Sequence, residues 1–225
     1  MLHLHNDETE YPTSDGQPMA ETDLHRQIMV NLIEALTRYY RGRQVYVSGN
    51  ILLYYQRGNP RAHLAPDVLV CLDLPPGPRE IYKVWEEGKA PDLVIEVTSK
   101  STRKKDLHTK KDLYESLKVQ EYLLFDPRRD YLEPRFQVFR YQGSGFVPVL
   151  VPEATGYTSP LLQLTFRVVD DELRISESPD GPLLPTPAEQ AQQAEEQTQR
   201  AEEQSQRAER YAARLKELGI DPNSL

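Results

Sequence analysis

Apolar residues recur every four positions at Leu24, Ile28, Leu32, Leu36 and Tyr40, a spacing that predicts a helix with one stripe turned to a core. Asp23 is placed to cap its start, and Gly42 to end it. The period then changes. Over the next hundred residues short β-branched or aromatic runs alternate with turn residues. This predicts strands at VYV (45–47), ILLYY (51–55), DVLVCL (67–72), IYKVW (81–85) and DLVIEV (92–97). Helical spacing returns between Ser101 and Leu117, and EYLLF, ended by Asp126-Pro127, reads as the strand after it. FQVFRY, FVPVL and the segment from Leu161 to Val169 predict further strands that extend or cover the sheet. Residues 1–21 are polar and read as an arm.

The C-terminal part differs in kind. QAEEQTQ, RAEEQSQ and RAERYAA follow one another with a seven-residue period, which places Ala191, Ala194, Thr198, Ala201, Ser205, Ala208, Ala212 and Leu215 on one seam. Alanine and serine bury little apolar area at ~25 cal/mol per Å², so a solvated single helix and a weak coiled coil both fit, and a homodimer stays open. The expected organisation is an α/β (α+β) domain over residues 1–187, a mixed sheet flanked by helices, and a helical, coiled-coil-like tail over 188–225.

With 225 residues, one full core and an appendage are what the chain can support. A net charge of −8 argues against a protein that coats nucleic acid by charge alone, so any contact with a polyanion must be local. Cys71 is the single cysteine, which excludes disulfides and cysteine-based zinc sites within the chain and suits a reducing cytoplasm. No apolar stretch approaches the ~20 residues that cross a bilayer, so no membrane partner is expected.

Three residues look chemical. Glu96 interrupts the apolar run LVIEV, where alternation sets Val94, Glu96 and Thr98 on one face and Leu93, Ile95 and Val97 on the other. A buried carboxylate needs a cation, hydrogen bonds or a raised pKa, and a structural salt bridge is the plain alternative. Asp67 follows Pro66 and so sits at the mouth of its strand. A Pro-Asp pair is most often a turn, and the same dipeptide at Pro91-Asp92 reads as one. On the following helix, Leu107, Lys110, Leu113, Tyr114 and Leu117 fall on one side, with Lys110 inside the apolar stripe. A snorkelling lysine is the alternative there. Between Lys100 and Lys118, seven Lys or Arg face three acids, a local surplus of four that could receive a phosphate backbone or simply be solvated. His25 lies on the apolar face of the first helix, as a packed residue or a neighbour of the site, while Glu34 lies on the opposite, polar face.

The segments APDVLV, APDLVIEVTSKST, DLHTKKDLY with its Asp106, Lys110 and Tyr114 spacing, and VQEYLLFDP resemble the Uma2-type family of restriction-like endonucleases, within the PD-(D/E)XK nuclease superfamily. DGQPMAETDLH and VYVSGNILLYY are similar to the same family, so the resemblance spans roughly residues 10–175. It implies a restriction-endonuclease-like sheet, with Asp67 and Glu96 as metal-binding acids, the backbone carbonyl of Val97 as an extra ligand, and Mg²⁺ or Mn²⁺ as cofactor. The superfamily pattern departs at Thr98, where a lysine is usual; the resemblance passes that role to Lys110. A metal-dependent endonuclease acting on DNA is therefore expected. The competing reading is a nuclease-fold binding or interaction module without turnover. A carboxylate-pair glycosidase would want aromatic platforms, and Trp85 is the single tryptophan. Phosphate-loop, zincin and nucleophile-elbow patterns fail on spacing.

Overall fold

The computed structural model describes residues 9–14, 16, 22–99, 102, 104–130 and 132–217. Most of the N-terminal arm with His3 and His5, most of DGQPMAET, the basic residues Lys100 and Arg103, and the end of the tail lie outside the described residues. The chain divides into two compact units, Met1–Leu184 and Pro185–Leu225.

Helix α1 (Asp23–Tyr39) buries Ile28, Leu32 and Leu36, as its period requires. Its cap is Thr22 rather than Asp23: the Thr22 side chain accepts the His25 amide, and Asp23 instead contributes negative charge to the first turn. The chain continues through β1 (Val45–Ser48), β2 (Leu53–Tyr54), β3 (His63–Leu64), β4 (Val68–Leu72) and β5 (Tyr82–Lys83). There IYKVW departs from a full strand. Val84–Glu87 forms a short helix, α2, closed by Gly88 in the left-handed conformation, so Tyr82 stays in a sheet while Trp85 packs against Tyr11. ILLYY likewise keeps only Leu53 and Tyr54 in a strand.

After β6 (Leu93–Val97) comes a π-helical segment, Lys105–Lys110, that runs into α3 (Lys111–Ser116). The remaining strands are β7 (Glu121–Phe125), β8 (Phe136–Tyr141), β9 (Phe146–Val149), β10 (Tyr157–Ser159), β11 (Leu164–Val169) and β12 (Glu172–Ser176).

The main sheet has the order β1-β4-β6-β7-β8-β9. Within it β6 and β7 pair in parallel and all other neighbours are antiparallel. A parallel pair needs a crossover, and the helical segment between Val97 and Glu121 supplies it. Strands β10, β11 and β12 form a second sheet and β3-β2-β5 a third. The central strands are covered on both faces. Val68, Ile95, Val97 and Leu123 pack with Ile28 and Leu32 of α1 and Phe166 of β11, whereas Leu69, Val94 and Leu124 pack with Tyr114 and Leu53. Double-sided burial explains why these strands read as nearly unbroken apolar runs. Each fully buried Leu or Ile contributes ~1.5–3 kcal/mol, so this is where the fold is strongest. Cys71 belongs to the second cluster, where burial pushes its thiol up to about 12 and makes it unreactive.

In the second unit, α4 (Pro187–Glu217) starts with a reciprocal cap: the Thr186 amide donates to Glu189 and the Glu189 amide donates to the Thr186 hydroxyl, with Pro187 in the first helical position. Its alanine seam is exposed except at Ala212 and Leu215, which are half-buried. Among the described residues no helix is long and apolar enough to cross a membrane.

Candidate active site

The antiparallel β4/β6 ladder runs from Val70↔Leu93 to Val68↔Ile95, and a Pro-Asp pair stands at each end of it. At one end the Asp92 carboxylate accepts the Leu72 amide at 2.7 Å and pairs with Lys89. At the other the Asp67 carboxylate accepts the Val97 amide at 2.7 Å. Each aspartate thus extends the ladder by one bond with its side chain, which accounts for both as structural elements. Their surroundings differ. Asp67 Oδ1 lies 3.2 Å from His25 Nε2, so the buried histidine of α1 is packed and also touches the acid. Gly49 makes the approach to this end possible, since a Cβ there would overlap the backbone carbonyl of Asp67.

Glu96 is 1 % exposed and points into the face shared with Tyr114 and Tyr122. Its Oε2 accepts a hydrogen bond from Lys110 Nζ at 2.8 Å and its Oε1 one from the Tyr114 hydroxyl at 2.6 Å. Lys110 and Tyr114 stand four residues apart across the junction of the π-helical segment with α3, so both reach the same carboxylate. Lys110 is 19 % exposed and faces inward from the stripe predicted for it. The same ammonium lies 3.2 Å from Asp106 Oδ1, and Asp106 is itself buried. Tyr122 of β7 donates its hydroxyl to the Asp106 backbone carbonyl, which anchors the π-helical segment on the sheet.

The centre therefore holds Glu96 and Asp106 against one ammonium, with Asp67 acting on all three through its charge. Burial pushes the Glu96 carboxyl up to about 8, with Lys110 opposing the rise and Asp67 and Asp106 adding to it. Burial also raises Asp106, again opposed by Lys110. For Lys110 burial acts to lower the pKa, but Glu96, Asp106 and Asp67 together raise it above the ordinary lysine value, so it stays charged.

Fully ionised, three carboxylates and one ammonium leave two negative charges, and the donors are hard oxygens, a set that suits a divalent cation. Asp67 and Glu96 would hold it. Both Glu96 oxygens and Asp67 Oδ2 each accept one hydrogen bond and Asp67 Oδ1 contacts His25 Nε2, and a carboxylate oxygen has a second lone pair. Among the described residues no group of three or more His, Cys, Asp or Glu side chains forms a ready metal cage. A two-carboxylate set is instead what Mg²⁺ takes when it keeps several waters.

The family model Uma2, "Putative restriction endonuclease", matches residues 1–169, three quarters of the chain. The chain belongs to the Uma2 family. A crystal structure of a putative nuclease of DUF820 from Anabaena variabilis is similar at 17% identity and a TM-score of 0.46, covering 65% of this chain and 76% of that one. No curated protein matches.

Within this Uma2 chain, Glu96 and Lys110 are in direct contact, and Asp67 meets the same strand through Val97. The Lys104 and Lys105 side chains of the basic stretch are exposed, whereas Lys110 belongs to the buried centre. Asp106 and Tyr114 join this centre although the sequence marks them only by the apolar stripe that holds Tyr114 and by their spacing from Lys110. The signal that could have found them is that Asp106, Lys110 and Tyr114 recur every four residues along one side of a helix.

Proposed function

We propose that the chain is an endonuclease that hydrolyses DNA phosphodiester bonds with Mg²⁺ or Mn²⁺, using Asp67, Glu96 and Lys110. The contact of Lys110 with Glu96 at 2.8 Å, in a centre that also brings Asp67 and Asp106 to bear on the same ammonium, carries this reading. Asp67, Glu96 and the backbone carbonyl of Val97 would hold the ion. When bound, it would lower the pKa of a water and offset charge on the phosphoryl oxygens. Tyr114 fixes one Glu96 oxygen and the Val97 amide fixes Asp67 Oδ2, so both acids are oriented in advance. Lys110, kept charged by its neighbours, supplies a cation for a phosphate oxygen or orients the attacking water. Lys104 and Lys105 give an exposed basic edge on the same helical segment for the phosphate backbone.

Nicking of supercoiled plasmid by the purified protein tests this. Cleavage should need Mg²⁺ or Mn²⁺, stop with chelator, and be lost in Asp67→Ala and Glu96→Ala. Equal cleavage by wild type and the double variant overturns the assignment. DNA binding without cleavage under any of these conditions would select the binding module instead.

A further inference from the structure

We infer that Asp106 is a positioning residue for Lys110: it is the second carboxylate that receives the ammonium when Glu96 turns its oxygens to a divalent cation. This rests on the metal-dependent reading above and adds a role for a residue outside the ligand set.

Lys110 Nζ stands between two buried carboxylates, 2.8 Å from Glu96 Oε2 and 3.2 Å from Asp106 Oδ1. The first contact is an aligned hydrogen bond and the second an ion contact; the Thr102 side chain also acts on the Asp106 carboxyl, yet neither Asp106 oxygen accepts a well-aligned bond among the described residues. Asp106 is thus an acceptor with capacity in reserve, beside an ammonium that has three protons to give. Its position is fixed independently of Lys110. Its amide donates to the Thr102 carbonyl, and its own carbonyl accepts the Tyr122 hydroxyl from β7 at 2.9 Å.

Charge balance points the same way. A divalent ion bound by Asp67 and Glu96 competes with Lys110 for Glu96, because two cations on one buried carboxylate repel each other. Without Asp106, that ion would leave the four-group centre with an uncompensated positive charge. With it, three carboxylates match one ammonium and one divalent ion. The swing needed is short, since the ammonium already touches both acids.

The test is Mn²⁺ binding followed by titration calorimetry on the full chain, without DNA. Asp106→Asn, which keeps the shape and removes the charge, should weaken Mn²⁺ binding about tenfold, the scale of a residue that supports a metal ligand without touching the ion. Asp106→Glu, which restores the charge, should recover most of the loss. In a Lys110→Met background the Asp106→Asn effect should vanish, because there is no ammonium left to place. An Asp106→Asn loss that persists in that background means Asp106 acts on the ion itself, and the inference fails while the metal-dependent reading survives. Unchanged affinity in Asp106→Asn also overturns it. No Mn²⁺ binding by the wild type overturns both.

Discussion

Glu96 and Glu121 are both 1 % exposed and lie on neighbouring parallel strands, yet they live in different electrostatic surroundings. The register pairs Glu121 with Leu93 and Glu96 with Leu124, so the two acids stand near opposite ends of the β6/β7 pair, roughly 10 Å apart along the strands. Burial raises the pKa of both. Around Glu121, the Ser159 hydroxyl donates at 2.6 Å, and the nearby Tyr157 hydroxyl, Arg140 and Leu161 backbone oppose the rise in its pKa. Around Glu96 there is an ammonium, but also two further carboxylates. A buried acid inside a strand is therefore not in itself a chemical group. Glu121 is tied to β10 by the Ser159 hydroxyl, whereas Glu96 belongs to a cluster of three carboxyl groups around one ammonium.

The strongest way to break this comparison is to neutralise each acid in turn. Glu96→Gln should reduce plasmid nicking on the order of a hundredfold or more, the scale of several kcal/mol of lost transition-state stabilisation. Glu121→Gln should leave nicking within about threefold while lowering stability in urea by ~1–3 kcal/mol, the cost of disturbing a buried hydrogen-bonded group. Comparable losses of activity in both would erase the distinction.

Next is pH. A carboxyl pushed up to about 8 from an ordinary value of 4.5 binds its proton more tightly when folded. The metal-free protein should thus lose stability as pH rises through that window, because the folded state must give up a proton that the unfolded state has already lost. Glu121 acts in the same direction. Saturating Mn²⁺ should remove the Glu96 part of the slope and leave the Glu121 part, as read from melting temperatures of wild type and Glu96→Gln. A slope identical in the two proteins would refute the role given to Glu96.

Single hydroxyls give smaller effects. Tyr114→Phe deprives Glu96 Oε1 of its donor and Ser159→Ala does the same to Glu121 Oε2, so each should cost ~1–3 kcal/mol in urea unfolding. Only the Tyr114 variant should also weaken nicking. The smallest change serves as a control: Thr186→Ala removes the α4 cap, costing ~1 kcal/mol of helix stability seen in amide exchange, and should leave both glutamates unaffected.

Much of this arrangement is legible along the chain where local periodicity governs. The α1 stripe, the covered strands β4, β6 and β7, and the inward face of Lys110 follow from spacing alone, although the segment ending at Lys110 is π-helical. Lys110 and Tyr114 still share a side because four residues return close to one turn. Strands β3 and β10 are two and three residues long and carry no such signal, whereas β12 carries one, Leu173 and Ile175 alternating with polar residues beyond the last strand predicted. Asp106 is hidden differently: it sits among lysines that read as a solvated face, yet it is buried.

By itself the sequence determined the order and faces of the main elements, the acid inside the β6 run, and the family to which the chain belongs. Tertiary structure alone decided that Glu96 meets an ammonium and that Asp106 joins the same cluster, while Glu121 is closed off by the Ser159 hydroxyl. The reason is that facing follows from residues a turn or a strand step away, whereas charge environment depends on neighbours through space. Here those neighbours come from 14 and 38 positions along the chain, for Lys110 with Glu96 and for Ser159 with Glu121.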